Sequence, residues 1–156
     1  ATIFQPLFFA NVKSPITDGD FKLQASGQVA SATLLSSDLF AIGGYGSVRG
    51  FEPGEETGEH GFTASGEYQH KFNLAKDLYV ELGPWIDYGY VSNKVKTPKQ
   101  TEDTSLLSAG LGANFAANII PAGETTLRLD FAHPIGDYDS VDTKDNSYYF
   151  RLQQNF

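Results

Sequence analysis

The stretch IGGYGSVRGF, Ile42–Phe51, sets one arginine, Arg49, among four glycines, with Val48 and Phe51 beside it. A guanidinium presents a planar fork of donors that can meet a carboxylate with two bonds at once. The chemistry open to Arg49 is ion pairing with a well-placed acid, and Gly43, Gly44, Gly46 and Gly50 allow the positive φ angles and tight bends that would carry it there. Two acids stand where such a partner is needed. Glu67 in SGEY (Ser65–Tyr68) and Asp87 in WIDYG (Trp85–Gly89) each fall on the polar side of an alternating run. On neighbouring strands they would form a carboxylate pair that repels itself until a cation joins it. Val48 and Phe51 would then pack on apolar groups such as Trp85.

Other reactive patterns are incomplete. The histidines His60, His70 and His133 share no face and level with a Ser or Asp partner, so no hydrolytic triad is indicated. EPGEETGEH (52–60) reads as a solvated acidic loop. DYDSVDTKD (137–145) has Asp at alternate positions but lacks the Gly and closing Glu of a calcium loop. No glycine-rich phosphate motif joins a strand to a helix. With no Cys there is no disulfide, thiolate metal site or Cys nucleophile. A formal charge of −8 argues against a nucleic-acid partner. No cofactor, metal or enzyme activity is expected.

The elements that would position these residues follow a period of two. In Gly61–Leu74, Phe62, Ala64, Gly66, Tyr68, His70, Phe72 and Leu74 share one face, and Thr63, Ser65, Glu67, Gln69, Lys71 and Asn73 the other. Asp77–Val91 sets Leu78, Val80, Leu82, Pro84, Ile86, Tyr88 and Tyr90 against Tyr79, Glu81, Trp85 and Asp87. The runs 21–29, 105–117, 125–132 and 148–156 alternate likewise, with Arg128, Asp130 and Arg151 on the polar side as a ladder of charges. Thr2–Val12 is apolar but has no clear phase. The reading is all-β with about seven strands and no helical period. At about 9 to 15 residues these strands exceed the usual 5 or 6 and match a tilted membrane crossing, which takes about 9 to 11.

Connections alternate in length. Pro15–Asp20, Leu74–Asp77 and Ile119–Gly123 are short, while 34–60, Ser92–Thr104 and Gly136–Asn146 are long and polar. Short turns at one end and long loops at the other characterise outer-membrane barrels, and a mean hydropathy of −0.28 is compatible with strands that are wet on one side. Only helices and closed barrels satisfy every backbone polar group in a bilayer. Seven strands close poorly, and the 156-residue chain has no Met. Strands are therefore expected upstream, with this chain the C-terminal part of a larger barrel; a small eight-stranded barrel is the rival.

Val48-Arg49-Gly50-Phe51, the Asp-x-Gly of Trp85–Gly89, the acidic SGEY stretch and the last residue, Phe156, together resemble the two-partner secretion transporters, the haemolysin secretion/activation proteins, which share a superfamily with the barrel-assembly insertase. The resemblance spans essentially the whole chain. It implies an antiparallel transmembrane β-barrel of about 16 strands, of which residues 1–156 would supply roughly the last seven, with loop 34–60 folded back into the lumen. It implies VRGF as the loop tip, Asp87 and Glu67 as lumen partners of Arg49, Trp85 and Gly89 as strand-motif residues, and Phe156 as a C-terminal assembly signal. Its function would be to secrete a β-rich exoprotein, an adhesin, haemolysin or contact-dependent toxin, across the bacterial outer membrane. The implied partners are that exoprotein, outer-membrane lipid and, during biogenesis, the barrel-assembly machinery. The alternatives are an insertase of the same superfamily, or a small outer-membrane barrel enzyme or adhesin.

Overall fold

The computed structural model describes residues 2–93, 103–120, 123–136 and 146–155. Phe156, the DYDSVDTKD stretch and most of the Ser92–Thr104 and Gly136–Asn146 loops lie outside the described residues. Among the described residues the regular structure is β1 (Ile3–Phe4), β2 (Leu7–Lys13), β3 (Gly19–Ala30), a one-turn 3-10 helix (Ser36–Asp38), β4 (Phe40–Ile42), β5 (Glu56–Gly58), β6 (His60–Ala75), β7 (Leu78–Ser92), β8 (Asp103–Ile120), β9 (Gly123–Pro134) and β10 (Ser147–Asn155). Among the described residues no helix is long and apolar enough to cross a membrane, which has no bearing on crossing by strands.

The main sheet is antiparallel, in the order β1/β2, β3, β6, β7, β8, β9, β10. β1 and β2 both pair with β3 in one unbroken register, interrupted at Gln5–Pro6, so they make a single passage of the chain. Counted so, the sheet has the seven strands that the alternation indicates. The first had no legible phase because β2 is exposed on both faces: Leu7 and Phe9 share a face with Gln24 and Ser26, and Phe8 and Val12 lie on the other. Among the described residues it is an edge strand with neither face covered.

The two faces differ as the alternation requires. One carries exposed Phe21, Leu23, Phe62, Phe72, Leu82, Ile86, Leu111, Leu129, Phe150 and Leu152, a belt that calls for an apolar surrounding. Phe62 packs on Tyr88 and Tyr90 near one end of it. The opposite, inner face holds the buried polar groups Thr63, Gln69, Asp87, Ser108, Arg128 and Asp130. β8, with 18 residues, and β6, with 16, are longer than a bilayer crossing requires. Pro84 lies inside a central strand. It lacks an N–H, and the β6–β7 pairing skips Tyr68 and Gln69, which lie opposite Pro84 and Gly83, while its partner Leu111 on β8 is kept.

The long loop is itself ordered. β4 and β5 form a two-stranded hairpin that leads straight into β6. Its base is stapled to the sheet: Gln28 donates to the carbonyls of Asp38 (2.9 Å) and Glu59 (3.4 Å), and Asn93 donates to the carbonyl of Thr57 (3.2 Å). Beyond Ile42 and Glu56 the hairpin gives way to glycines. Gly43, Gly44, Gly50 and Gly54 take positive φ; Gly46, expected to do so, does not.

Burial raises the Glu56 pKa, and the neighbouring Glu55 charge adds to the rise. Folding then favours the protonated acid. The penalty on the hairpin is full above the folded pKa, shrinks as pH falls through it, and is gone below the ordinary value of 4.5. Glu56→Gln should slow hydrogen exchange at the β4–β5 amides at pH 7 and leave it unchanged at pH 4, when measured in the full-length protein.

Candidate functional site: a loop tip seated on four strands

Residues 48–51 go to three different receptors. Val48 is fully buried beside Ile42, Phe51, Val91 and Leu106, with Phe40 at the margin. Gly89 makes this approach possible: a Cβ there would lie 2.8 Å from Val48 Cγ2. Phe51 joins the same cluster. Trp85, expected to pack on Val48 and Phe51, instead lies under Arg49, whose guanidinium carbon sits 3.7 Å from the ring centroid. An aromatic face is a favourable floor for a cation removed from water.

Arg49 meets Asp87 in a two-pronged pair, with Nε donating to Oδ2 at 2.8 Å and Nη2 to Oδ1 at 3.0 Å. Its backbone N–H adds a bond to Asp87 Oδ2 at 3.1 Å. Asp87 also accepts from Ser65 Oγ at 2.6 Å. Nη1 donates to Asp130 Oδ1 at 3.1 Å. Glu67 stands farther off, 3.8 Å from Nη1, an ion pair without a hydrogen bond. Its close donors are Arg128 Nη2 and Gln69 Nε2, each at 2.6 Å. Arg128 completes the network by donating to both oxygens of Asp130, at 2.7 and 2.9 Å. Two guanidiniums and three carboxylates from β6, β7, β9 and the loop thus form one cluster. Burial alone would lower the Arg49 pKa; the hydrogen bond and charge of Asp87, with the charges of Glu67 and Asp130, more than reverse this, and the guanidinium stays charged.

The register explains the convergence. Glu67, Trp85 and Gly110 stand side by side on β6, β7 and β8, and Gly112 faces Asp130 across β8 and β9. The glycines on β8 leave space. A Cβ at Gly110 would lie 2.7 Å from Trp85 Cε2, and one at Gly112 would lie 2.7 Å from Arg128 Nη2. Sequence reading put Asp130 and Arg128 on the inner face as part of a charge ladder but did not bring them to Arg49. The signal was their shared parity with Asp87; what was missing was the β7–β8–β9 register. Gly110 and Gly112 were also passed over, although small residues on a polar face signal something large lying against it.

Elsewhere chemistry is sparse. His60 Nδ1 accepts from the Ala30 N–H, and His133 pairs with Asn146. No cluster of His, Asp and Glu suited to a metal ion occurs among the described residues. A cavity of about 280 Å³ over the seat is lined by Lys22, Tyr45, Ser47, Arg49, Glu67 and Arg151, among others.

The network implies a rank order. Asp87→Asn strips the two-pronged partner and should weaken loop docking by about 3 to 5 kcal/mol, as loss of one partner in a buried pair does. Glu67→Gln should cost only about 1 kcal/mol of docking, since Arg49 keeps both of its hydrogen-bonded acids. Hydrogen exchange of the loop amides in the full-length protein checks the order; equal effects would break the assignment.

The sequence profile of the family described as haemolysin secretion/activation protein ShlB/FhaC/HecB matches residues 8–115, well over half of the chain. Among solved structures, CdiB from Acinetobacter baumannii superposes with a TM-score of 0.72 at 23% identity, over 96% of this chain and 26% of that one. The chain thus spans about a quarter of the length of that structure and shares its fold. No curated protein matches by sequence. The resemblance read from VRGF and Asp-x-Gly therefore holds at the level of the family: the chain belongs to the haemolysin secretion/activation proteins.

Proposed function

We propose that the chain is the C-terminal part of an outer-membrane barrel through which a β-rich exoprotein, an adhesin, haemolysin or contact-dependent toxin, is secreted. In this reading residues 1–156 belong to one barrel domain, and loop 34–60 is a plug held in the lumen by Arg49. VRGF is the plug's tip, Asp87 and Glu67 are its lumen partners, and Trp85 and Gly89 form its floor. Family membership supports secretion over insertion of other barrels. The observation that carries the reading is the Arg49 side chain, 8% exposed, drawn from a loop onto strand carboxylates of the inner face while the other face carries the apolar belt. A sheet with one greasy face and one charged, loop-covered face suits a wall between lipid and a polar conduit. Phe156 would serve as the terminal signal presented to the barrel-assembly machinery.

The reading requires the plug to yield to the passing chain. No phosphate-binding loop is evident in the sequence, so the driving force would come from folding of the exoprotein outside the cell. Arg49→Ala leaves three acids facing one remaining guanidinium. At equal amounts of folded barrel it should reduce exoprotein at the cell surface, because the carboxylates left without their cation no longer hold the loop in one defined arrangement. Normal secretion with the loop unmoved overturns the proposal.

A further inference from the structure

A second fastening of the loop tip does not involve the carboxylates. We infer that Tyr149 of β10, with Ser147, is the positioning residue that holds the Gly50 peptide and ties the loop tip to the last strand of the sheet. The Gly50 N–H donates to Tyr149 Oη at 2.8 Å, and Ser147 Oγ donates to the Gly50 carbonyl at 3.4 Å. β10 therefore receives both polar groups of one loop residue. Gly50 has φ +96°, and a Cβ there would meet Pro134 at 3.4 Å and Ala132 at 3.5 Å, so the peptide lies tight against β9 while β10 takes its hydrogen bonds. Tyr45 adds an aromatic contact: its ring is 5.3 Å from that of Tyr149, the Arg151 guanidinium stands 5.7 Å over it, and its hydroxyl donates to Asp130 at 3.3 Å.

The placement gives the contact its meaning. Among the described strands β10 pairs with β9 alone. The loop tip touches its inner face at Ser147 and Tyr149, so the tip braces β10 as β10 positions the tip. Arg49 and Gly50 are adjacent in the chain but hold different strands, one gripping β6, β7 and β9 and the other β10. The two fastenings are separable, and loss of Tyr149 Oη should free the tip without disturbing the hairpin base, which Gln28 and Asn93 secure.

This inference rests on reading the loop as a docked plug, and its test does not require secretion. Single cysteines are placed at Ser47 in the tip and at Thr57 in the hairpin, in a full-length background cleared of other cysteines. Labelling by a water-soluble maleimide is followed in outer membranes. Tyr149→Phe keeps the ring on Tyr45 and removes the oxygen. It should speed labelling at Ser47→Cys by roughly two- to tenfold, the effect of one lost hydrogen bond, and leave Thr57→Cys unchanged. Ser147→Ala, with its longer bond, should give a smaller rise at the same site, and carries the test if Tyr149→Phe does not fold. An unchanged rate at Ser47→Cys, or an equal rise at both sites, overturns the inference. If the protein with Tyr149 and Ser147 intact exports nothing while the labelling differences appear as expected, the proposed function is overturned and the fastening stands.

Discussion

A guanidinium that leaves water must find its anions already in place, and Arg49 finds acids on three strands. Desolvation of an ion carries a penalty of several kcal/mol that only good geometry offsets. The fork on Asp87, the added bond to Asp130 and the indole floor supply that geometry. The dependence runs both ways. The acids crowd one another unless Arg49 and Arg128 lie between them, and Arg49 cannot be buried unless β6, β7 and β9 stand in this register. Such a cluster adds little net stability compared with an apolar core of the same volume, but it admits few alternative arrangements. It sets where the loop sits more than how firmly the sheet holds.

Small residues shape the seat around this cluster. Gly89 admits Val48, Gly110 admits the Trp85 indole, Gly112 clears the Arg128–Asp130 pair and Gly50 slips between Ala132, Pro134 and Tyr149. Each glycine is the negative image of a larger group on the facing element. This explains the composition of VRGF in physical terms. Val is buried, Arg is paired, Gly is pressed against strands, and Phe closes the apolar cluster with Leu106 and Val91.

Much of this was legible in the sequence because strands write their two faces as alternation. Six of the seven passages, the apolar outward belt and the inner placement of Glu67 and Asp87 came from parity alone. The hairpin inside the long loop did not, since Phe40–Ile42 and Glu56–Gly58 are three residues each and too short to show a period. Asp130 was placed on its face but not at its partner, because parity is a property of one strand and proximity is a property of register between several. Tyr149 was hidden for the same reason: nothing within β10 reveals that a loop residue 99 positions earlier in the chain presents its amide there. The first strand failed on different grounds, having no covered face to leave a pattern.

On the proposed reading, the charge of the cluster has a consequence for whatever passes the loop. Three carboxylates and two guanidiniums leave one unit of negative charge with the loop in place. Withdrawing Arg49 would take its positive charge along and double the deficit of this cluster. An opened conduit would then present these carboxylates beside Lys22, Arg128 and Arg151, which line the same cavity, so its wall would carry both signs at close quarters. Lysine and arginine side chains of a passing polypeptide would meet the carboxylates there, and acidic ones the guanidiniums of Arg128 and Arg151.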